Sequence, residues 1–430
     1  MNGKYVSIFV VGLLAVGLFA GVSKGDEISE LKAQLQQLQD RIEAMEKQQK
    51  EQLNAVEKKQ EEKDAELSKQ IAEVASQKST QVAEVPDSLK WAENIKIGGD
   101  FRYRHEYIDD DTKSDDRNRN RIRARVKIDG KVNDDLDFSM RVASGSEDPV
   151  STNETLDGGF SSKDLWIDRA YLKYHGFKNV DILAGKMGNP FMAVGKNQLI
   201  WDGDLNPEGG AMQFDFDLNK DSSMFVNLGG MWVEENSSDV DQSLFGGQIG
   251  VVTAMGDGTL TAGMGYFDYG NLEDQLAVYD KEDAFGNTHV TNPDSTESYI
   301  YDYNLVEAFA AYDFKAGDAP VSVYGDYVKN IASGVQEDTG WLVGLKYGKA
   351  KAAGTWDAGY NYRDLEADAV VGAFSDSDFI GGGTDGKGHK FTFNYAIAKN
   401  FTTGVTYLMN EKGDAETDYD RLQLDFKLKF

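Results

Sequence analysis

The sequence predicts an all-β transmembrane barrel of about 16 antiparallel strands, preceded by an N-terminal α-helical coiled coil. Three observations carry that fold class. The end of the 430-residue chain alternates strictly. Leu422, Leu424, Phe426, Leu428 and Phe430 share one face of a strand, and Arg421, Gln423, Asp425, Lys427 and Lys429 share the other. The same alternation recurs backwards to Ile95. A chain that repeats an apolar-out, polar-in strand many times, with no buried core left over, faces lipid outside and water inside. Finally, the connections between candidate strands alternate short and long, as in outer-membrane barrels with tight periplasmic turns and long external loops.

Composition sets outer bounds. The formal charge is −28 and apolar residues make up 40%. Cysteine is absent, which excludes disulfides, thiolate metal sites, cysteine nucleophiles and a lipoprotein anchor. Tyr (20), Phe (22) and Gly (45) are abundant and Pro is scarce at 6, as suits a barrel whose alternate residues are apolar. No apolar run of about 18 residues follows the first 25 positions, so no helical span is expected in the mature protein. The acidic balance argues against nucleic acid as a partner.

Residues 1–25 read as a secretory signal peptide. Lys4 gives the positive start, Val6 to Ala20 the apolar segment, and Ala20, Gly21 and Ser23 the small residues. An uncleaved anchor is the alternative. Over residues 26–80, Ile28, Leu31, Leu35, Leu38, Ile42 and Met45 keep a 3-4 spacing, a coiled-coil seam that implies partner chains in the periplasm. The phase slips near Gln48, and a charged, partly helical linker is the competing reading. Residues 81–94, with Pro86, form a linker, and the barrel is expected over 95–430.

The candidate strands follow in order, each named by its apolar face. The first carries Ile97, Phe101 and Tyr103, the second Ile122, Ala124, Val126 and Ile128, and the third Phe138, Met140 and Val142. The fourth carries Ala170, Leu172 and Tyr174, the fifth Val180, Ile182 and Ala184, the sixth Met212, Phe214 and Phe216. The seventh carries Met224, Val226 and Leu228. The eighth, around Phe245 to Thr253, alternates worst, so fourteen or eighteen strands stay open. The ninth has Leu260, Met264 and Tyr266, the tenth Val306, Ala308 and Ala310, the eleventh Val321, Val323 and Tyr327. The twelfth has Trp341, Val343 and Leu345, the thirteenth Trp356, Tyr360 and Tyr362. The fourteenth has Phe391, Phe393 and Tyr395, the fifteenth Val405, Tyr407 and Met409, and the terminal strand closes the set. Aromatics gather near strand ends, where membrane-interface girdles sit.

Two constellations point to function. Residues 188–209 join the fifth and sixth strands. Pro190, Phe191, Met192, Val194, Leu199, Ile200 and Trp201 make this loop too apolar for a free surface. It also carries Asp202, Asp204 and Glu208, so it is expected to fold inward as an acidic constriction loop; a packed external lid is the alternative. Opposite it stands a basic wall. Ile122, Ala124 and Val126 must face lipid, because arginine there costs about 2–4 kcal/mol at the bilayer midplane. Arg121, Arg123, Arg125 and Lys127 therefore line the lumen, and Arg102, Arg104, Arg141, Arg169 and Lys173 share that parity. Asp168 breaks the parity of the fourth strand, which calls for a bulge or a rim position. A basic wall facing an acidic loop sets a transverse field across a pore. Self-neutralising ion pairs that prop the barrel are the other reading. Aspartates at 109–111, 115, 116, 376 and 378 are expected to crowd the external loops.

The runs RNRNRIRARVKIDGKVNDDLDFSMRVASG, DLWIDRAYLKYHG, LAGKMGNPF and LIWDGDLNPEGGAM resemble the bacterial “putative porin” family, relatives of general-diffusion and phosphate-selective porins. The resemblance spans residues from about 90 to 430 and implies a sixteen-stranded homotrimer in the cell outer membrane. It also implies contact with outer-membrane lipid and lipopolysaccharide, and that the barrel-assembly machinery reads the terminal Phe430. Asp100, Glu106, Asp215, Asp217 and Asp326 share the lumen parity, so phosphate specificity does not follow. The function so implied is a water-filled channel for passive diffusion of small hydrophilic solutes and ions, without a cofactor. An outer-membrane barrel tethered to peptidoglycan by its coiled coil, with conduction secondary, is the rival. An enzyme is disfavoured. His105, His175, His289 and His389 fit no metal spacing, and the sequence holds no phosphate loop or nucleophile elbow.

Overall fold

A computed structural model describes residues 92–430, except 239 and 414, and helical positions scattered between 33 and 69. The signal segment, most of the predicted seam and most of the linker lie outside the described residues. The helical positions and the barrel belong to two separate units, 1–87 and 88–430.

The barrel unit is one antiparallel sheet of 17 strands, of which one is the two-residue segment Glu154–Thr155. The other sixteen are β1 (Ile95–Asp110), β2 (Arg117–Asn133), β3 (Leu136–Ser144), β4 (Leu165–Phe177), β5 (Val180–Lys186), β6 (Glu208–Asn219), β7 (Ser222–Glu234) and β8 (Gln242–Met255). Then come β9 (Gly258–Gly270), β10 (Tyr303–Ala316), β11 (Ala319–Asn330), β12 (Thr339–Gly348), β13 (Trp356–Leu365), β14 (Gly386–Ala398), β15 (Phe401–Lys412) and β16 (Thr417–Lys429). Each long strand pairs with its neighbour in sequence, and β1 pairs with β16 from Asp100↔Lys429 to Asp110↔Tyr419. Two further bonds, Phe430 N to Gly99 O at 3.1 Å and Gly99 N to Phe430 O at 3.0 Å, finish the seam. Closure leaves no open edge, the condition for irreversible burial of strands in hydrocarbon.

The register puts the lipid-facing side chains beside one another. Phe101 sits opposite Leu428 and Ala124, and Tyr103 opposite Phe426 and Ile122. Phe391, Phe393, Val405, Leu424 and Phe426 are all exposed. A continuous apolar belt of this kind is untenable in water and is what a bilayer requires.

The fourth strand resolves its parity break with a bulge. The pairing steps from Arg141↔Arg169 to Val142↔Ile167, so Asp168 is the extra residue. It is turned inward, buried, and ion-paired to Arg141. The weak eighth strand also has a physical cause. Gly246 and Gly250 face the lumen, where a Cβ on Gly246 would sit 2.6 Å from the Phe191 ring and one on Gly250 2.2 Å from the Phe225 ring. Inner-face glycine makes room for aromatic rings, and the alternation is lost.

Those rings correct one expectation. The barrel does hold a buried apolar core, and the core lies inside the lumen. Leu183, Phe225, Phe267, Phe309, Tyr324 and Leu342 point inward from the wall. Phe191, Val194, Leu199 and Ile200 from the loop 187–207 pack onto them, with Leu272, Val278 and Tyr299 from the loop 271–302 and Val370, Val371, Phe379 and Ile380 from the loop 366–385. The strict polar-in rule fails wherever a loop needs an anchor.

Candidate constriction site

The loop 187–207 crosses the interior, as its apolar content predicts. Phe191 stacks on Trp201 with ring centroids 5.4 Å apart and meets Phe267 edge-on at 4.9 Å. Polar groups fix its path against the wall. Met192 N donates to Gln248 Oε1 at 2.8 Å, Asn197 Nδ2 to Asp326 Oδ2 at 2.8 Å, and Trp201 Nε1 to Tyr269 OH at 3.0 Å. The Lys346 ammonium hydrogen-bonds the Gly195 carbonyl. The loop thus covers the inner face of β8–β12. On β13–β16, by contrast, Asn361, Thr392, Asn394, Thr402, Thr406 and Lys427 stay partly exposed on the inner face.

The basic wall meets the loop directly. Arg123 Nη2 lies 2.8 Å from Asp100 Oδ1, and Arg125 Nε 2.8 Å from Asp100 Oδ2. Arg125 Nη1 then reaches Asp204 Oδ1 at 2.9 Å, and Arg123 Nη1 stands 3.9 Å from Asp204 Oδ2. Thr152 Oγ1 adds a 3.1 Å bond to Asp204. The expected field across an open gap is therefore replaced, at this level, by contact ion pairs. The reason is reach: guanidinium and carboxylate side chains close the remaining distance and form charge-assisted bonds rather than stay apart in a poorly hydrated space.

The other predicted wall residues divide into two groups. Arg104 pairs with Asp425 at 2.7 Å, Arg141 with Asp168, Lys173 with Asp181 at 2.6 Å and Lys127 with Asp129 at 2.9 Å. Arg102, Arg121 and Arg169 bond neutral partners instead. Arg102 meets the Asn153 side chain, Arg121 Nη2 donates to Asn153 O at 3.1 Å, and Arg169 Nε to Asn206 Oδ1 at 2.6 Å. Arg121 belongs to a vestibule of about 830 Å³ on the side of the long connections, shared with Arg117, Arg119, Ser377 and Arg421. Asp100, Arg125, Lys127 and Arg141 line a cavity of about 280 Å³ on the other side. The Asp100–Arg123–Arg125–Asp204 cluster stands between the two.

Two of the predicted acidic rim residues behave differently from Asp204. Glu208 opens β6 opposite Trp232, on the outward side of the sheet, and pairs with Lys186 at 2.7 Å. It is not part of the constriction, because the strand has already begun there and its parity points the side chain away from the lumen. Asp202 is buried between loops. Its Oδ2 accepts from Ser377 N at 2.9 Å and Ser377 Oγ at 3.1 Å, while Asp202 N donates to Phe374 O at 2.8 Å. Burial, then the nearby Asp376 and Asp204, push its carboxyl well above the usual range.

Asp376 and Asp378 correct a second expectation, for they do not decorate the mouth. The loop 366–385 turns inward and seats Asp376 on Arg363 and Lys390, and Asp378 on Arg104 and Arg421. Burial opposes ionisation of Asp378, but Arg421 and Arg104 outweigh it and hold the carboxyl well below the usual range. The signal was present in the sequence. Val370, Val371, Ala373, Phe374, Phe379 and Ile380 make this loop as apolar as the loop 187–207, and the same argument applies to both.

The sequence profile of the family described as “Putative porin” matches residues 107–304 and 300–430. No curated protein matches the chain. Among solved structures, OprB of Pseudomonas putida superposes with a TM-score of 0.51 at 11% identity, over 79% of this chain and 95% of that one. OmpT of Vibrio cholerae gives 0.47 at 15% identity, over 78% and 99%. OmpF of Salmonella typhi, in complex with daunomycin, gives 0.47 at 13%, over 78% and 97%. The likeness to OprB concerns the fold alone.

Replacing Arg123 and Arg125 together by glutamine strips both partners from Asp100 and Asp204. Breaking a buried pair by removing one side costs about 3–5 kcal/mol, so the temperature at which the barrel unfolds in detergent should fall clearly. Reversal potentials should shift toward cations, and more so at about 0.01 M salt, where the Debye length is about 30 Å. An unshifted reversal potential at low salt would show that the Asp100 and Asp204 charges left behind do not face an ion path.

Asp202 yields a pH prediction. A carboxyl whose folded pKa is raised lends stability below its unfolded pKa and loses it as pH rises through the folded value. Asp202→Ser removes that dependence and keeps an acceptor for the Asp204 N–H. The variant should therefore gain unfolding temperature relative to the parent as pH rises from the ordinary carboxylate range toward neutrality. A difference independent of pH would contradict the burial of that charge.

Proposed function

Because the chain belongs to the “Putative porin” family, we propose that it is an outer-membrane channel for passive diffusion of small hydrophilic solutes and ions. The observation that carries this reading is a closed barrel with an apolar exterior and a loop drawn across its lumen, which leaves a polar, partly exposed strip on β13–β16. A sixteen-stranded wall is wide enough for an aqueous path, and the inward loop limits the size of what passes. Asn361, Thr392, Asn394, Thr402 and Thr406 offer that path hydroxyl and amide groups, and Lys390 and Lys427 give it positive charge.

The N-terminal segment fits the same reading as a periplasmic stalk. Residues described between 33 and 69 are helical, and Met45, Val56 and Leu67 on them are exposed. Apolar side chains on a lone helix need a partner, which supports self-association, as a homotrimer. A stalk that also contacts peptidoglycan is compatible with conduction. The exposed Phe430 at the end of β16 is positioned for the assembly machinery to read.

Excising the middle of the constriction loop, residues 193–200, tests the channel. Unit conductance in planar bilayers should rise about twofold or more, toward that of an unobstructed barrel of this strand number. Unchanged conductance in a variant that keeps the heat-modifiable gel mobility of a folded barrel would overturn the constriction.

A peptide of residues 26–80 should sediment as a helical oligomer. A monomer at high concentration would defeat the stalk.

A further inference from the structure

Most cations on the basic wall are neutralised by the wall itself. Asp100 serves Arg123 and Arg125, Asp425 serves Arg104, and Glu106 serves Arg119 and Arg421. One seat departs from this pattern. There, four cations come from four strands, while both anions come from a connection. Arg363 Nη2 and Lys390 Nζ lie 3.0 Å and 3.2 Å from Asp376 Oδ2, and Arg421 Nη2 and Arg104 Nη1 lie 2.8 Å and 3.2 Å from the Asp378 carboxylate.

The seat is also short of acceptors. Arg363 Nε and Nη1 and Arg421 Nε are buried with no hydrogen-bond partner, although Arg363 and Arg421 are each only 2% exposed. Guanidinium donors left over in this way call for more anionic oxygens than two aspartates present. Among the described residues, Asp376 is the carboxylate that pairs with Arg363 and Lys390, whereas Arg104 and Arg421 keep Asp425 and Glu106 if the loop leaves.

The loop tip has a run of glycines and a route. Gly381, Gly382 and Gly383 take φ values of +91°, +109° and +94°, which only glycine adopts without strain. Ser377, those three glycines and Arg421 of the seat line the vestibule, so the tip and one end of the seat border it.

We propose that this seat is a binding site for solutes carrying two anionic groups, and that Asp376 and Asp378 occupy it as an internal stand-in. The proposal rests on the channel reading and gives it a substrate class. A dianion such as a dicarboxylate replaces both loop carboxylates, one on Arg363 and Lys390 and one on Arg104 and Arg421, and the tip swings toward the vestibule. A single anion replaces one contact and leaves the other holding the loop. The loop scales the apparent affinity down to the fraction of seats it leaves empty.

The test uses the full-length chain, which has no cysteine. Ser375 is 1% exposed and closes the tip through bonds from its Oγ to Gly383 O at 2.7 Å and Gly372 O at 3.1 Å. In a Ser375→Cys variant reconstituted in liposomes, succinate should speed modification by a cationic thiosulfonate reagent about tenfold, and acetate at equal ionic strength should not. Equal rates in succinate and acetate would overturn the proposal, as would rapid labelling with no anion added. In an Asp376→Asn, Asp378→Asn variant, succinate should block ion current at about one tenth of the concentration the parent needs, because the internal competitor is gone. An unchanged block would also overturn it. Labelling needs no current, so a silent barrel that still labels faster in succinate would refute the channel and keep the site.

Discussion

A wall of sixteen strands cannot fill its own interior, and the rest of the molecule follows from that constraint. Small barrels pack their lumen with wall side chains; wide ones do not. Here the interior is divided instead. Over β7–β12 the wall turns aromatic and small, with Phe225, Phe267, Phe309 and Tyr324 set among Gly246 and Gly250, and loops settle on it as on a soluble core. Over β13–β16 the wall stays amide- and hydroxyl-lined and partly exposed. One half of the lumen is dry and gives the loops stability. The other half keeps its polar side chains partly exposed.

Charge is handled within the same division. Guanidinium groups that would be solvated in an open barrel are here covered by loops, so each needs an acceptor. Arg104 and Arg421 are 4% and 2% exposed, and both find carboxylates on wall and loop alike. A buried pair of this sort contributes little net stability, but it is costly to break on one side. Its effect is therefore positional. Asp204 cannot leave Arg125 without losing its closest cation, while Arg125 keeps Asp100, so the loop that carries Asp204 is tied to the wall.

Much of this was legible in the sequence, for reasons that can be located. The outer face is periodic because lipid tolerates no exception there, so β16 could be read from Leu422 to Phe430 alone. The same intolerance exposed Asp168 as a misfit and so announced the bulge. The inner face was only half legible. Parity placed Arg121, Arg123 and Arg125 in the lumen, but parity does not say whether a lumen group meets water, a carboxylate or a loop. The eighth strand looked poor because Gly246 and Gly250 carry information about rings far away in sequence, which a local pattern cannot contain. Asp376 and Asp378 were misplaced because acidic residues in a long connection suggest a surface, although Val370, Val371, Phe379 and Ile380 beside them argue for burial. Glu208 was misplaced by a strand boundary, where one residue decides which side a chain faces.

The arginine ladder is better understood as a zip than as an electrode. Residues two apart on a strand rise by about 7 Å, a step that one carboxylate can bridge. Asp100 does so for Arg123 and Arg125, and Asp204 meets the same pair from the loop side. Two carboxylates thus alternate with two guanidinium groups, and the cluster carries almost no net charge. Its field at a distance is correspondingly small. The less compensated cations lie outside the zip: Arg102 and Arg121, whose partners are neutral, and Lys390 and Lys427, each sharing its carboxylate with an arginine. The loop clamp and the uncompensated positive charge, which the sequence suggests belong to one set of residues, are divided in the fold between a neutral cluster and a smaller set of less compensated cations.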